Sequence, residues 1–360
     1  TGTFTTSGWA SVAVDSILIQ PGQEFFIASM LNEAYAVSFD NVSPYSGRSY
    51  FSGDGTSYSG MSGTSSAPRN VHIRAKISNR VTTPENSTYV PDNNFEQALI
   101  DLGYDDVIDD YVLTENISEI ANLDVREKEI SDLTGIEGFT ALTSLNCDNN
   151  ELTSLDLTSN TNLTYLYCSD NQLTSLDVSL NTALTELRCY RNELTSLNVN
   201  SNVALIALHI GANSISTLDV SANTALNLLS CDNNQLTSMD VSANTALTQL
   251  YCYNNQLTSL DVSASTALTI LHCNNNELTS LDVSANTALT ELRCGNNQIT
   301  SLDVSSNTAL TNLHCSSNQL TSLDVSANTA LTHLGCYYTQ LTSLDVSNNT
   351  ALTYLQAKDN

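Results

Sequence analysis

The chain has 360 residues, of which 41% are hydrophobic, a content that is ordinary for a globular protein of two or three domains. It carries 11 Lys and Arg against 38 Asp and Glu, which gives a formal net charge of −27. Because nucleic acids and anionic membranes are recognised by clustered cations, this balance argues against both as partners. No apolar run approaches the roughly 20 residues of a membrane-spanning helix, so we expect no membrane insertion.

The first 81 residues alternate short apolar runs with turns rich in Gly, Ser, Pro and Asn. Such alternation is typical of half-buried strands. The pattern predicts an antiparallel β-sandwich segment over residues 1–81, with its apolar runs at 9–14, 17–19, 24–30, 34–39 and 71–77. Residues 82–90, which contain Pro84 and precede Pro91, are predicted to form a linker.

Residues 91–119 are predicted to form a helical cap that closes one end of the repeat array. Pro91 and the polar residues after it form a helix-start signal, and Gly103 marks the helix end. The apolar residues between them recur at helical spacing and define the predicted buried face: Phe95, Ala98, Leu99 and Leu102. A repeat array needs such a cover on its terminal unit.

Four acidic residues follow the predicted helix: Asp105, Asp106, Asp109 and Asp110. Carboxylates are Ca²⁺ ligands, so the group is a candidate calcium site. It lacks the D-x-[DN]-x-[DN]-G spacing of a recognisable calcium loop, and a charged surface turn is the favoured interpretation. No other cofactor is indicated.

A repeat occupies residues 120–360. A 21-residue unit close to L-T-x-L-x-C-x-x-N-Q-L-T-S-L-D-V-S-x-N-T-A follows a diverged 22-residue unit that begins at Ile120. Cys replaces the third Leu of the leucine-rich-repeat signature. The pattern predicts a leucine-rich-repeat solenoid with little helix and a parallel sheet on its concave face. The 21-residue units start at Leu142, Leu163, Leu184, Leu205, Leu226, Leu247, Leu268, Leu289, Leu310 and Leu331, with an incomplete one at Leu352.

Three columns of identical residues have predicted structural roles. The Leu and Cys three and five places after each start, such as Leu145 and Cys147, should point inward because strand side chains alternate between faces. The Asn eight places after each start, such as Asn150, should end the strand and bond to buried backbone as a ladder that Thr339 interrupts. The exposed Asp column that includes Asp156 should be solvated and locally hydrogen-bonded, with cation bridging as the alternative.

All nine Cys fall in the inward column. An odd number at a fixed spacing of 21 is not a disulfide framework. Parallel neighbouring side chains do not point at each other as a disulfide requires. We therefore expect buried free thiols, and we expect no metal site because the column lacks His and Asp partners.

Variation within the chain is concentrated two, four and six places after each repeat start. These side chains alternate with the buried ones, so they should project from the concave face, and Tyr, His and Arg are common in recognition sites. An alternative is that Tyr and His are simply favourable cross-strand neighbours on a solvated sheet. The candidate ligand-binding residues are Tyr165, Tyr167, Glu186, Arg188, Tyr190, His209, Tyr251, Tyr253, His272, Glu291, Arg293, His314, His333 and Tyr337.

The sequence does not indicate an enzyme. It contains no G-x-S-x-G, H-E-x-x-H, Gly-rich phosphate loop or Cys-x-x-Cys motif. Neighbouring acid and base residues such as Glu186 and Arg188 lie on an open strand face, where no water-excluding pocket is expected. We therefore predict a binding or structural protein without a catalytic residue.

The repeats, with VPDNNFEQALIDLGYDDVIDDYVLTENI and ISDLTGIEGFTALTSL before them, resemble bacterial internalin-like leucine-rich-repeat surface proteins, particularly those of marine Bacteroidetes. The resemblance covers roughly residues 90–360. It implies a secreted or outer-surface location, and no particular ligand. The runs GRSYFSGDGTSY and NVHIRAKI resemble the end of lectin-like sandwich modules of secreted bacterial proteins, so the segment over residues 1–81 is interpreted as a partial module.

Three hypotheses for function follow. The leading one is a recognition or adhesion protein whose concave face binds an extracellular protein or a glycan. The second is a surface fibre formed by end-to-end self-association, because the last repeat has no visible cover and an uncovered repeat edge can pair. The third is a targeting appendage of a larger secreted enzyme located before Thr1, since the sandwich segment over residues 1–81 is interpreted as partial.

Overall fold

The computed structural model describes residues 86–360, which lie within the second of two units of the chain, residues 83–360. The predicted β-sandwich segment over residues 1–81 lies outside the described residues, as do residues 82–85 of the predicted linker. The described part consists of a small mixed cap followed by a parallel solenoid.

The cap contains two short strands and two helices. Strand β1, Ser87–Tyr89, pairs antiparallel with β2, Tyr111–Leu113. Between them lies helix α1, Asn93–Asp101, and helix α2, Thr114–Ile117, follows β2. The cap therefore combines helices with an antiparallel strand pair, and it begins a few residues before the predicted boundary at residue 91.

Helix α1 begins where the sequence predicts. Asp92 is the N-cap residue, and its Oδ1 accepts hydrogen bonds from the backbone N–H groups of Asn94 at 2.9 Å and Phe95 at 3.0 Å. This satisfies two of the helix's free N–H groups. The other oxygen, Oδ2, accepts from the backbone N–H of Ser131 at 2.8 Å. One carboxylate thus caps the helix and ties it to the first coil of the solenoid.

The buried face of α1 agrees with prediction except at its end. Phe95, Ala98 and Leu99 are buried, and the Phe95 ring lies 6.4 Å from the ring of Phe139 between centroids. The assignment of Leu102 to this face is wrong, because its side chain is 44% exposed. The helix ends at Asp101, so Leu102 belongs to the turn that leads away from the core.

The solenoid contains a 12-stranded parallel sheet whose strands follow one another in chain order. Each residue of a strand pairs with the residue one repeat later in the next strand, as Leu145 pairs with Leu166. A short 3₁₀ helix, Ile136–Gly138, precedes β4. The strands are β3 Asn122–Asp124, β4 Ser144–Asn146, β5 Tyr165–Tyr167, β6 Glu186–Arg188, β7 Ala207–His209, β8 Leu228–Ser230, β9 Gln249–Tyr251, β10 Ile270–His272, β11 Glu291–Arg293, β12 Asn312–His314, β13 His333–Gly335 and β14 Tyr354–Gln356.

The core is a stack of aliphatic and Cys side chains contributed by successive coils. Leu145 and Cys147 are both 0% exposed, as are their counterparts in the following repeats through Leu334 and Cys336. A single coil cannot bury these residues alone, so each stabilises its neighbours. This confirms the predicted leucine-rich-repeat solenoid of 21-residue coils with little helix.

The predicted Asn ladder is present and is fully bonded. In a typical coil, the Asn255 side-chain N–H donates to the carbonyls of Cys231 at 3.0 Å and Cys252 at 3.1 Å, and its Oδ1 accepts from the Leu236 N–H at 3.0 Å. At Thr339, where the ladder is interrupted, the hydroxyl donates to the Cys336 carbonyl instead. The ladder links each coil to the preceding one.

A second Asn ladder lies 18 places after each repeat start, and the sequence interpretation gave it no role. Asn244 is 0% exposed and donates to the carbonyls of Val220 at 3.0 Å and Asn223 at 2.9 Å, and equivalent bonds recur along the column. Ser265 interrupts the column and makes a weaker contact to the Asn244 carbonyl at 3.3 Å. The turn that leads into the next strand is thus fixed to the preceding coil by hydrogen bonds.

Candidate ligand-binding face

The variable side chains lie on the solvent side of the parallel sheet, called the sheet face from here on. It comprises the residues two, four and six places after each repeat start. In β6, for example, Glu186 and Arg188 are half-buried while Leu187 between them is buried. The alternation of strand side chains therefore positions the candidate residues on one surface, as the sequence predicts.

The first group on this surface, called the β5–β6 cluster, consists of Tyr165, Tyr167, Glu186 and Arg188. The two Tyr rings meet edge to face with centroids 6.5 Å apart, and the Arg188 guanidinium carbon lies 4.5 Å above the Tyr167 ring centroid. The Arg188 Nε donates to Glu186 Oε1 at 2.6 Å. The cluster combines an aromatic platform with a fixed acceptor and donor pair.

Two neighbours adjust the charge of the β5–β6 cluster. Asp148 accepts a hydrogen bond from the Ser169 N–H at 2.6 Å, and burial raises its pKa although Arg188 attracts its charge. Burial, aided by the positive charge of Arg188, lowers the pKa of His209, which favours neutral imidazole at neutral pH. Tyr190 lies half-buried in the same coil as Arg188.

The second group, called the β9–β11 cluster, consists of Tyr251, His272, Glu291 and Arg293. The Tyr251 and His272 rings are perpendicular with centroids 5.0 Å apart. Glu291 Oε1 lies 3.0 Å from His272 Nε2 and 2.7 Å from Arg293 Nε. One carboxylate thus fixes both a cation and an imidazole.

The pKa shifts within the β9–β11 cluster reflect competition between burial and pairing. Burial acts to raise the pKa of Glu291, but its bonds with Arg293 and His272 outweigh this and lower it. For His272, burial outweighs the attraction of Glu291, so its pKa is lowered. His272 is therefore neutral at neutral pH and offers both a donor and an acceptor nitrogen.

Further candidates extend the aromatic surface toward the end of the chain. His333 stacks on Tyr354 with centroids 5.8 Å apart, and Tyr337 contacts Tyr338 at 5.4 Å. Burial lowers the pKa of His314. The absence of a side chain at Gly335 makes room for His314, because a Cβ there would lie 2.7 Å from its Nδ1.

Some residues on the sheet face were not among the predicted site residues. Asp232 accepts a hydrogen bond from the Ser230 hydroxyl at 2.6 Å. The pKa of Tyr253 is raised, chiefly by burial and secondly by its hydrogen bond with Asp232. Gln249 accepts from the Tyr251 hydroxyl at 3.0 Å. Both lie at the same variable positions as the predicted residues, and this was the signal available to find them.

The structure does not join all candidates into one continuous site. Strands β7 and β8 lie between the two clusters, and on them the positions two places after the start are occupied by Ala207 and Leu228. Three strand steps separate β6 from β9, or about 14 Å at the usual spacing of adjacent strands. A ligand that contacts both clusters must therefore be long.

The comparisons with known proteins agree with this architecture. The family model for leucine-rich repeats in two copies matches residues 245–286 and 287–328. The functional domain of InlJ from Listeria monocytogenes, a solved structure described as including a cysteine ladder, is 36% identical with a TM-score of 0.61, covering 75% of this chain and 71% of that one. The chain belongs to the internalin-like leucine-rich-repeat proteins.

Other relatives support the same assignment. Internalin InlF from the same species is 25% identical with a TM-score of 0.70 over 74% of this chain and 82% of that one. Curated internalin J of Listeria monocytogenes is 42% identical over 73 residues, which span 8% of its length. A leucine-rich-repeat protein of Leptospira interrogans, 24% identical with a TM-score of 0.63, shows the shared fold alone. The Bacteroidetes-type resemblance stays a prediction.

The Cys column of this internalin-like chain consists of nine buried free thiols. Burial raises the pKa of Cys189 to about 12, and the pKa values of its neighbours in the column are also raised by burial. Thiolate is the reactive form of Cys, so these residues act as small core side chains.

The candidate calcium ligands Asp105, Asp106, Asp109 and Asp110 are not assembled into a site. Among residues 86–360, no group of three or more His, Cys, Asp or Glu is arranged to hold a metal ion. Glu96 occupies the inside of this turn, where its Oε1 accepts from the backbone N–H groups of Asp109 at 2.9 Å and Tyr111 at 3.1 Å. These backbone donors bind one oxygen of the buried carboxylate, while Oε2 of Glu96 and Oδ2 of Asp105 are buried without a hydrogen-bond partner, and the calcium hypothesis stays a prediction.

The exposed Asp column forms local turns. Asp261 Oδ1 accepts from the Ser263 N–H at 2.9 Å, and the same contact recurs along the column. Hydrogen bonds from the Ser263 hydroxyl and N–H lower the pKa of Asp261. This is the predicted local hydrogen bonding.

None of the helices in residues 86–360 has the length and apolarity that crossing a bilayer demands.

Proposed function

We propose that this protein is a secreted or surface recognition and adhesion protein that binds an extracellular protein or glycan on its sheet face. Internalin-like leucine-rich-repeat proteins are surface recognition and adhesion proteins, and relatives are of this type. The observation that carries the proposal is the concentration of sequence variation on one surface, where Tyr, His and Arg form two ordered clusters within an otherwise monotonous array.

The fixed positions of the side chains in the two clusters support ligand binding rather than simple solvation of the sheet. The Arg188 and Arg293 side chains are each held by a Glu on the same strand, and each cluster also contains a ring contact. Side chains that are already fixed lose less conformational entropy when a ligand binds. A preorganised surface of this composition is typical of recognition sites.

The same geometry favours binding over catalysis. The clusters lie on an open strand face, and the Tyr165 ring is 44% exposed and Arg293 is exposed as well. Enzymes strengthen their electrostatic interactions by excluding water from the reacting groups. We therefore propose no catalytic role for these residues.

The test is a comparison of two quadruple variants with the unmodified protein against an array of glycans and extracellular proteins. The face variant carries Ala at Tyr167, Arg188, Tyr251 and His272. At about 1–2 kcal/mol for each important contact, we expect its affinity to fall roughly 100-fold or more. Thermal stability should change little, because these side chains lie outside the core.

The matched control variant carries Ala at exposed residues nine places after a repeat start, beyond the edge of the sheet face: Gln172, Gln235, Gln256 and Gln298. We expect it to bind as the unmodified protein does. Equal binding by the face variant and the unmodified protein would contradict the proposal.

End-to-end assembly into a fibre and attachment to a larger secreted enzyme remain alternative predictions from the sequence. Electron microscopy at increasing protein concentration distinguishes the first, because a fibre-forming protein gives filaments of increasing length. The complete gene distinguishes the second by the presence of an encoded catalytic domain.

A further inference from the structure

We propose that the ligand of the sheet face is a neutral glycan chain that lies across the strands and contacts both clusters. This inference rests on the proposed function and specifies the chemistry of its ligand. Four observations support it: the polarity of the central column, the composition of the clusters, their charge balance and their spacing.

The central column of the sheet face carries no aliphatic side chain, and aliphatic residues of the face such as Leu228 and Ile270 lie in the column two places after each start. At the position four places after each repeat start, from Asn146 to Gln356, every residue is polar or aromatic except Gly335. The most exposed aliphatic side chains, Leu180 at 53% and Val203 at 58%, lie on the loops outside the sheet face. A protein partner is usually anchored by apolar contacts at the centre of its interface. A glycan instead needs hydrogen-bonding groups throughout.

Each cluster offers the two kinds of contact that a sugar ring makes. A pyranose ring has an apolar C–H face and a rim of hydroxyl groups, so it stacks on an aromatic ring while its hydroxyls bond to fixed polar groups. Tyr165 and Tyr167 provide rings beside the Glu186 acceptor and the Arg188 donor. Tyr251 provides a ring beside His272 and Glu291.

The charge balance favours a neutral glycan over a sulfated or carboxylated one. Arg188 and Arg293 are each neutralised by a Glu within hydrogen-bond distance. Asp148 and Asp232 add negative charge to the same surface, and the chain as a whole carries −27. A polyanion would approach a like-charged protein and find no unpaired cation in either cluster.

The spacing of the coils suits a chain of sugars. Adjacent strands are about 4.8 Å apart, which is close to the length of one sugar unit in an extended chain. A glycan that crosses the strands can therefore place one unit on each coil. To contact both clusters, the glycan must span the distance between β6 and β9, which is about 14 Å.

Length-defined oligosaccharides test this inference by calorimetry. The probes are neutral glucan, mannan and galactan oligosaccharides of increasing length, with dextran and dextran sulfate as a pair that differs in charge. At least one neutral series should bind, and its affinity should rise about tenfold or more once the chain spans both clusters, because the second contact is then intramolecular. Binding should be insensitive to salt, since no charge is neutralised.

Ring variants distinguish stacking from hydrogen bonding by the Tyr hydroxyl. Tyr167→Ala should weaken binding of the long oligosaccharide about tenfold, while Tyr167→Phe keeps the ring and should bind nearly as well as the unmodified protein. Tyr251→Ala should have a similar effect at the other cluster. Gln256→Ala, beyond the edge of the sheet face, should have none.

The outcomes separate this inference from the proposed function. Binding of an array protein that the face variant loses, with no neutral glycan bound, overturns the glycan inference and leaves the proposed function standing. Preference for dextran sulfate, or an affinity that does not depend on chain length, also overturns it. Glycan binding that the face variant retains in full overturns both.

Discussion

Replacing Asn255 by Ala should be among the most destabilising single changes on the side of the core nearest the sheet. The Asn255 amide donates to the Cys231 and Cys252 carbonyls and accepts from the Leu236 N–H. Both carbonyls keep another donor in Asn234 and Asn276, whereas the Leu236 N–H loses its acceptor in a residue that is 0% exposed.

The magnitude follows from these contacts. Two lost hydrogen bonds cost about 1 kcal/mol each, and an unsatisfied buried N–H costs a further 1–3 kcal/mol or so. We expect Asn255→Ala to lower the free energy of unfolding by about 4 kcal/mol. Because each repeat is stabilised only by its neighbours, the loss can also separate unfolding into two steps.

Urea unfolding followed by far-ultraviolet circular dichroism measures the effect. Gln256→Ala, an exposed neighbour whose backbone N–H still bonds to the Leu236 carbonyl, is the matched control and should change stability by less than about 0.5 kcal/mol. In the opposite direction, Thr339→Asn restores the ladder and should add about 1 kcal/mol. A shift for Asn255→Ala no larger than that of Gln256→Ala would refute the assignment of the ladder.

Three further predictions concern buried and exposed titratable groups. Thiol reagents should modify the native protein negligibly at mildly alkaline pH, because burial raises the pKa of Cys189 to about 12, and rapid labelling before denaturant is added would contradict this. Burial raises the pKa of Glu96, so its contribution to stability is present at low pH and is lost as the pH rises through that pKa. Glu96→Gln keeps the acceptor for Tyr111 and should gain about 1 kcal/mol at neutral pH, with a flatter profile of melting temperature against pH. Hydrogen bonds lower the pKa of Asp261. The Asp column therefore stabilises the fold above the ordinary Asp pKa, and this contribution is lost as the pH falls through the lowered pKa. Asp261→Asn should reduce the acid-induced drop in melting temperature, which calorimetry measures.

The sequence alone determined the repeat and therefore the backbone. A 21-residue period with Leu and Cys at fixed offsets permits only one inward face, so the strands, the buried columns and the Asn255 ladder follow from the spacing. The alternation of strand side chains likewise determined which residues reach the sheet face. Each of these conclusions depends on local geometry that recurs in every coil.

Only the tertiary structure decided how the face residues group and which buried polar atoms are paired. The pairing of Glu291 with His272 depends on a contact between different coils, and its pairing with Arg293 on the same strand depends on side-chain orientation, which the sequence spacing does not encode. The role of Asn244 also became visible only when its carbonyl partners on the preceding coil were placed. Leu102 was misassigned because helical periodicity does not specify where a helix ends, and that end is set by the packing of the cap against the first coil.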